Sequence, residues 1–163
     1  MTRRERRPKK DRRRNLRPEL QVLIADDAKD LPIIATKKEG DVGFDLYVAR
    51  ETIVPPGATL PPTDLYCGVR VKLPKGTWGL LMFRSGTHGK YPSLRLCQAP
   101  IDEGYTGPLD PRVRNVGRKA VRIPRGERLV QLVIVPAVIP RAAVVDELPE
   151  TERGTTGFGS TGR

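Results

Sequence analysis

Cysteine, histidine and long apolar runs are all scarce in this sequence of 163 residues. Its two cysteines, Cys67 and Cys97, lie in apolar, strand-like stretches and lack the spacing of metal ligands. This pattern argues against a disulfide framework and predicts a reducing, cytoplasmic setting. The one histidine, His88, has no second histidine with which to ligate a metal, and we interpret it as a surface residue.

No apolar run is long enough to span a membrane. The longest apolar region, residues 129–140, is broken by Gln131 and Pro136, and the basic start of the chain has no apolar run of signal length behind it. We therefore expect neither a membrane span nor a secretion signal.

Aromatic residues make up only 5% of the chain and hydrophobic residues 37%, which predicts a modest core. Glycine and proline are frequent instead, with 16 residues of each. Such dense punctuation leaves little room for long helices and favours short strands joined by turns, so the sequence predicts an all-β fold. A modest core also suggests that an oligomer completes the structure.

Acidic residues are scarce at the N-terminus. The net charge is +11, and residues 1–18 carry most of it, with only Glu5 and Asp11 against a run of lysines and arginines. We expect residues 1–18 to form a disordered basic arm. It is either a solvated tail or a weak, salt-sensitive contact for nucleic acid.

A clean alternation of apolar and polar residues precedes a turn in the middle of the chain. Val69, Val71 and Leu73 are expected to point inward, and Pro74-Lys75-Gly76 is a turn sequence. Because another apolar strand begins near Trp78, this pattern predicts a β-hairpin.

Two polar groups occur where strands are expected. Asp45 lies within a strand-like run, although aspartate is depleted in strands. It either faces solvent or directs its carboxylate at a ligand or the ligand's metal. Gln131 interrupts a run of leucine and valine, and it either faces solvent or points its amide into a site.

Arg84-Ser85-Gly86 follows an apolar strand and precedes a predicted helical turn that Ser85 would cap. A guanidinium, a hydroxyl and backbone N–H groups at one point suit a phosphate group. The alternative is a capped turn with a solvated arginine.

A turn at Glu103-Gly104 follows Asp102 and brings Tyr105 back beside it. This pattern predicts a tight hairpin that presents one carboxylate and one aromatic face. It is either an ordinary surface turn or the wall of a small pocket.

The C-terminal residues 149–163 are rich in glycine and small polar residues, yet they include Arg153 and Phe158. We interpret this segment as a mobile arm that closes over a ligand. Phe158 would stack on a flat ring while Arg153 and the hydroxyls engage anionic oxygens.

Five of these segments, taken in order, resemble the motifs of the trimeric dUTPase family. They are Gly43-Phe44-Asp45-Leu46-Tyr47, Arg84-Ser85-Gly86, Ile101-Asp102-Glu103-Gly104-Tyr105-Thr106-Gly107, Gly126-Glu127-Arg128-Leu129-Val130-Gln131-Leu132, and residues 153–162 with the sequence RGTTGFGSTG. The resemblance runs from about residue 20 to residue 162 and places a dUTPase-like β domain at residues 19–148.

The resemblance implies a jelly-roll or β-clip, barrel-like subunit with flexible arms at both ends. It implies a homotrimer with shared active sites that hydrolyses dUTP to dUMP and pyrophosphate with Mg²⁺. By position, Asp102 would be the general base that activates water for attack at the α-phosphorus, and Tyr105 would pack on the deoxyribose and exclude a 2′-hydroxyl.

The resemblance also implies roles for the remaining motif residues. Asp45 would hold Mg²⁺ indirectly, through water, and Gln98 would read the base. The other substrate-binding residues would be Arg84, Ser85, Gly86 and Gln131, together with Arg153, Phe158, Gly159, Ser160 and Thr161 of the arm. The segment Gly107-Pro108-Leu109-Asp110-Pro111-Arg112 departs from the family pattern, because two prolines occupy a position that is normally strand.

Two alternatives use the same scaffold. A dCTP deaminase shares a similar turn, but its catalytic glutamate would fall at Arg112, and it lacks the glycine-rich arm. A regulatory or nucleic-acid-associated protein would instead depend on the basic residues 1–18.

Overall fold

A computed structural model describes residues 18–32, 34, 38–57, 62–152 and 154. Strands dominate these ranges, and the only α-helix within them is the four-residue α1 (Thr87–Lys90), so the prediction of an all-β fold is confirmed. The strands are β1 (Gln21–Ile24), β2 (Gly43–Tyr47), β3 (Thr52–Val54), β4 (Thr63–Asp64), β5 (Val69–Lys72), β6 (Thr77–Phe83), β7 (Leu94–Cys97), β8 (Pro100–Ile101), β9 (Arg112–Asn115), β10 (Val121–Ile123) and β11 (Arg128–Pro136). A short 3-10 helix spans Asp26–Ala28.

The strands of the described residues form four antiparallel sheets. The largest has the strand order β2-β11-β6-β8, a second has the order β4-β9-β7, and β1-β5 and β10-β3 form two-stranded sheets. Strand β11 lies inside the largest sheet because it is long and apolar enough to pair on both edges, with β2 and with β6. Strands β2 and β8 form the opposite edges of that sheet.

The core collects the inward-facing residues of several sheets into one cluster. Leu46 of β2, Val113 of β9 and Leu132 of β11 are each at most 1% exposed. Val69, Val71 and Leu73 are also buried, as the alternation in their sequence predicts. The alternation along β11 is confirmed too, because Val130 and Leu132 are buried while Gln131 between them is partly exposed.

The predicted hairpin of β5 and β6 is wrong. Strand β5 pairs with β1, whereas β6 pairs with β11 and β8, so the turn at residues 74–76 carries the chain from one sheet to another. Gly76 adopts a left-handed conformation, with φ of +73°, which the turn requires. The turn residues predict the reversal correctly, but they do not determine which strand fills the neighbouring edge.

The turn after Asp102 forms as predicted, with the Tyr105 N–H donating to the Asp102 carbonyl at 3.0 Å. Its two arms, however, pair with other parts of the chain. Residues 100–101 pair with β6, and Pro108 forms a bridge with Arg70. None of the helices within the described ranges could cross a bilayer.

Candidate functional site

Asp45 lies between two arginines at the edge of the largest sheet. Its Oδ1 is 2.7 Å from Arg84 Nε, and its Oδ2 accepts a hydrogen bond from Arg128 Nη1 at 3.1 Å. Its side chain is 10% exposed, whereas those of the arginines are about one third exposed. The carboxylate therefore fixes two guanidinium groups near the surface, and the cluster keeps a net positive charge. Of the two open predictions for Asp45, exposure to solvent is wrong.

Gln131 lies on the same face as this cluster. In the register of the sheet it is opposite Asp45 on β2 and opposite Met82 on β6. Its side chain extends over Gly43, since a Cβ on Gly43 would be 2.7 Å from Gln131 Cδ. The glycine of the first motif thus makes room for the amide of the fourth.

A cavity of about 220 Å³ lies beside this cluster. The lining residues are Arg84, Gly86, Thr87, Lys90, Tyr91, Glu127 and Arg128. The hydrogen bond with Glu127 raises the pKa of Lys90. Burial, followed by the charge of Glu127, raises the pKa of the Tyr91 hydroxyl. With three cationic side chains against one carboxylate in its lining, the cavity suits an anionic ligand.

The loop after Arg84 is anchored to β11. The Arg84 N–H and the Thr87 hydroxyl both donate to the Leu129 carbonyl, at 3.1 and 2.7 Å. The N-cap of α1 is Gly86, and no side chain caps the helix, so the prediction that Ser85 is the capping residue is wrong. Ser85 is exposed, and neither its hydroxyl nor its backbone is among the lining of the cavity.

A second cavity of about 220 Å³ contains the turn with Asp102. It is lined by Leu81, Cys97, Ala99, Pro100, Ile101, Asp102, Tyr105, Pro108, Leu109, Asp110, Pro111 and Arg112. Asp102 is exposed, and Tyr105 is 43% exposed, so both are accessible to a ligand. Of the two interpretations of this turn, the pocket wall is the one that the structure supports.

The turn itself is held from outside the cavity. Glu103 Oε2 accepts the Gly76 N–H at 2.7 Å, and the Glu103 carbonyl accepts Lys72 Nζ at 2.9 Å. These contacts fix the residue directly after Asp102.

The structure does not bring Gln98 to this cavity. Its neighbours Cys97 and Ala99 line the cavity, whereas Gln98 is exposed and is not among the lining residues. The predicted arm residues Arg153, Phe158, Gly159, Ser160 and Thr161 lie outside the described residues.

The two cavities lie towards opposite edges of one sheet. Asp45 is on the edge strand β2, and Asp102 directly follows the other edge strand, β8. Three strand spacings separate these edges, which amounts to about 14 Å. Arg84 leans towards Asp45 and therefore away from β8. Within a single chain, Asp102 and Arg84 therefore lie too far apart to contact the same phosphate group.

Arg128 and Asp110 are among the residues of these sites to which the sequence analysis assigned no role, as are Lys90 and Glu127 of the anionic-ligand cavity. Arg128 contacts Asp45 across 83 positions of the chain, although it belongs to a segment already singled out. Asp110 lies between Pro108 and Pro111 in the sequence, and its carboxylate accepts the backbone N–H of Cys67. Its location between two strand-breaking residues was the available signal.

No group of three or more histidine, cysteine or acidic side chains suitable for a metal ion is found within the described ranges. Both cysteines are free thiols, and burial raises the pKa of the Cys67 thiol.

Comparisons with a family model and with known proteins all identify the same family. A family model described as dUTPase matches residues 29–162. The deoxyuridine 5'-triphosphate nucleotidohydrolase of a Thermoanaerobacter species is 40% identical over 148 residues, which cover 88% of this chain and 97% of that protein. The corresponding enzyme of Solanum lycopersicum is 34% identical and covers 89% of this chain and 90% of its own length.

Solved structures of similar fold include the dUTPase of Staphylococcus bacteriophage 80alpha with dUpNHpp. It is 29% identical, has a TM-score of 0.77, and covers 89% of this chain and 99% of its own. A dUTPase mutant of phage phi11, described with a structural Mg(II) ion, is 26% identical with a TM-score of 0.69 and covers 79% and 97% of the two chains. These similarities confirm the dUTPase-type jelly-roll fold that the motifs imply.

Proposed function

The chain belongs to the dUTPase family, and we propose that it converts dUTP to dUMP and pyrophosphate by attack of an Asp102-activated water on the α-phosphorus. It is a dUTP nucleotidohydrolase. The main support for the proposed mechanism is the location of Asp102, whose exposed carboxylate lines a cavity of about 220 Å³ together with Tyr105.

Asp102 is the general base of the proposed reaction. Its carboxylate takes a proton from the attacking water as the water oxygen bonds to the α-phosphorus. The bond from the α-phosphorus to the oxygen bridging towards the β-phosphorus breaks, and pyrophosphate leaves with that oxygen and its electron pair. Because the hydrogen bonds of Glu103 hold the turn from outside, Asp102 can keep its position without losing its exposure.

Arg84 and Arg128 supply positive charge for the phosphates, with Ser85, Gly86 and Gln131 as further contacts. Asp45 holds both guanidinium groups, so their orientation exists before the substrate binds. Preorganised charge of this kind stabilises the charge that develops on phosphate oxygens during transfer.

We propose that the reaction requires Mg²⁺ as its cofactor. Magnesium bound to phosphates keeps several waters and needs only one or two protein carboxylates, which fits the donor set here. Asp45 would hold it indirectly, through water, because both of its carboxylate oxygens already contact arginine side chains. When bound, the ion would neutralise charge on the phosphate oxygens.

Tyr105 would pack against the deoxyribose. The arm at residues 149–163 would close over the nucleotide, with Phe158 on the uracil and Arg153, Gly159, Ser160 and Thr161 near the phosphates. Such closure would exclude bulk water and add positive charge. Gln98 is a weaker candidate for reading the base, because its side chain is outside the cavity lining.

We propose that the active site is shared within a homotrimer. Asp45 and Asp102 lie towards opposite edges of one sheet, so a complete site requires groups from two copies. The segment after β11 also exposes apolar side chains that a neighbouring copy could cover. They include Val138, Ile139, Val144 and Leu148, each more than 80% exposed.

The free thiols are consistent with the proposed cytoplasmic location.

The proposal is tested by measuring pyrophosphate release from dUTP, dCTP, dTTP and UTP in the presence of Mg²⁺. We expect rapid release from dUTP alone, and we expect Asp102→Asn to reduce it by at least about a thousandfold while dUTP still binds. Deamination of dCTP would support the alternative reading of the scaffold. Undiminished hydrolysis by Asp102→Asn would exclude Asp102 as the base.

A further inference from the structure

We propose that Asp110 is a positioning residue for Tyr105 and thereby helps the enzyme to distinguish deoxyribose from ribose. This inference rests on the proposed function, in which Tyr105 packs on the sugar. It concerns residues 108–111, which we call the proline strap. The strap forms part of the wall of the cavity that contains Asp102.

The Tyr105 ring is held by the start of the strap. Its hydroxyl donates a hydrogen bond to the Pro108 carbonyl at 3.0 Å. The ring also lies close over Gly107, where a Cβ would be 2.6 Å from Tyr105 Cζ. The position of the phenol therefore depends on the position of the Pro108 carbonyl.

The strap runs beside residues 65–70 with a change of register. Asp64 pairs with Arg112, and Arg70 pairs with Pro108. Between these two pairs, the segment from Asp64 to Arg70 spans six residue steps, whereas the segment from Pro108 to Arg112 spans four. The segment between Asp64 and Arg70 thus carries two extra residues, as in a β-bulge. Gly68 within it has φ of +65°, and a Cβ there would be 2.7 Å from Ala28 Cβ.

Such a bulge leaves a backbone group without its regular partner, and Asp110 supplies one. The Leu109 N–H donates to the Val69 carbonyl at 2.8 Å, and the Leu65 N–H donates to the Pro111 carbonyl at 2.9 Å. Between them, the buried Cys67 N–H donates to Asp110 Oδ1 at 3.0 Å. The Asp110 side chain is therefore the middle one of three attachments that hold the strap.

Removal of this carboxylate would leave the buried Cys67 N–H unsatisfied and the middle of the strap unattached. The lost group is an acceptor, and the carbonyls of Pro108 and Pro111 already accept the Tyr105 hydroxyl and the Leu65 N–H. The strap would shift, the Pro108 carbonyl with it, and the Tyr105 ring would exclude a 2′-hydroxyl less strictly.

The test compares kcat/KM for dUTP and for UTP in the wild type, Asp110→Ala and Asp110→Asn. Asparagine has the same shape and keeps an oxygen that accepts the Cys67 N–H, so it is the matched control. We expect the ratio of dUTP to UTP to fall about tenfold in Asp110→Ala and to stay close to the wild-type value in Asp110→Asn. Loss of folded enzyme alone lowers both values equally and leaves the ratio unchanged.

An unchanged ratio of kcat/KM for dUTP to that for UTP in Asp110→Ala would overturn the inference. An equal fall of this ratio in Asp110→Ala and Asp110→Asn would also overturn it, because the effect would then come from the lost charge and not from the hydrogen bond. If Asp110→Ala does not fold, hydrogen exchange of residues 65–69 in the intact wild type and in Asp110→Asn decides. Slow exchange of the Cys67 amide in both supports the attachment, and fast exchange in either contradicts it. A wild type that hydrolyses no dUTP would instead contradict the proposed function.

Discussion

Asp110 combines a useful hydrogen bond with an unfavourable environment. Burial is the main cause that raises the pKa of this carboxyl above 3.8, and the charge of Asp64 raises it further, while the Cys67 N–H and Arg70 act in the opposite direction. The folded chain thus binds this proton more tightly than the unfolded chain does. The carboxyl's contribution to stability is fully present below pH 3.8 and is lost as the pH rises through the raised pKa.

Asp110→Asn is therefore expected to be at least as stable as the wild type at pH 7, because the amide accepts the Cys67 N–H without the burial of a charge. The advantage should shrink as the pH falls towards 4, where the wild-type carboxyl becomes protonated. Urea denaturation at pH 7 and at lower pH, at equal chain concentration, measures both effects. A variant that is clearly less stable at pH 7 would show that the Cys67 amide requires an ionised acceptor.

The residues of the site differ in how far the sequence predicts them. Asp102 and Tyr105 are three positions apart in one turn, so local sequence suffices to place them together. The pairing of Asp45 with Arg84 and Arg128 is different, because it depends on which strands become neighbours in the sheet. The sequence shows that a carboxylate in a strand is unusual, but it does not show which groups surround it.

For the strands, too, the sequence predicts where they lie but not which strands pair. Alternation identifies β5, β6 and β11 and the residues that they bury, and the turn residues at 74–76 mark the reversal. The partner of each strand is set by packing between distant segments, and the expected hairpin is consequently wrong. The prolines at 108 and 111 precede β9, which begins only at Arg112, in agreement with their inability to donate ladder bonds.

The two terminal segments are expected to contribute little to the stability of the β domain. Removal of residues 149–163 should leave Tm nearly unchanged, because the described residues among them are exposed. It should lower kcat/KM for dUTP by about a hundredfold, since closure over the nucleotide is lost. Thermal denaturation and pyrophosphate release measure the two effects.

Removal of residues 1–18 is the matched control. It should leave dUTP hydrolysis unchanged and abolish any salt-dependent retention on DNA or RNA, because most of the net charge lies there. Loss of hydrolysis on removal of residues 1–18, or full activity without residues 149–163, would contradict this division of roles.

For the molecule as a whole, we propose that the active site is assembled from two copies of the chain. It follows from a sheet that places Asp45 with Arg84 towards one edge and Asp102 towards the other. Exposed apolar side chains after β11 give such an assembly a surface to cover. An oligomer of three times the 18.1 kDa chain mass is expected in solution.

Complementation between two inactive variants distinguishes a shared site from a site within one chain. Asp102→Asn and Arg84→Ala are each expected to be inactive as pure proteins. When they are unfolded together and refolded at equal concentration, random mixing should restore about a quarter of the wild-type rate of dUTP hydrolysis, because that share of sites combines one intact Asp102 with one intact Arg84. Each variant refolded alone is the control. If mixed oligomers form and remain inactive at every ratio, Asp102 and Arg84 act within one chain and the site is not shared.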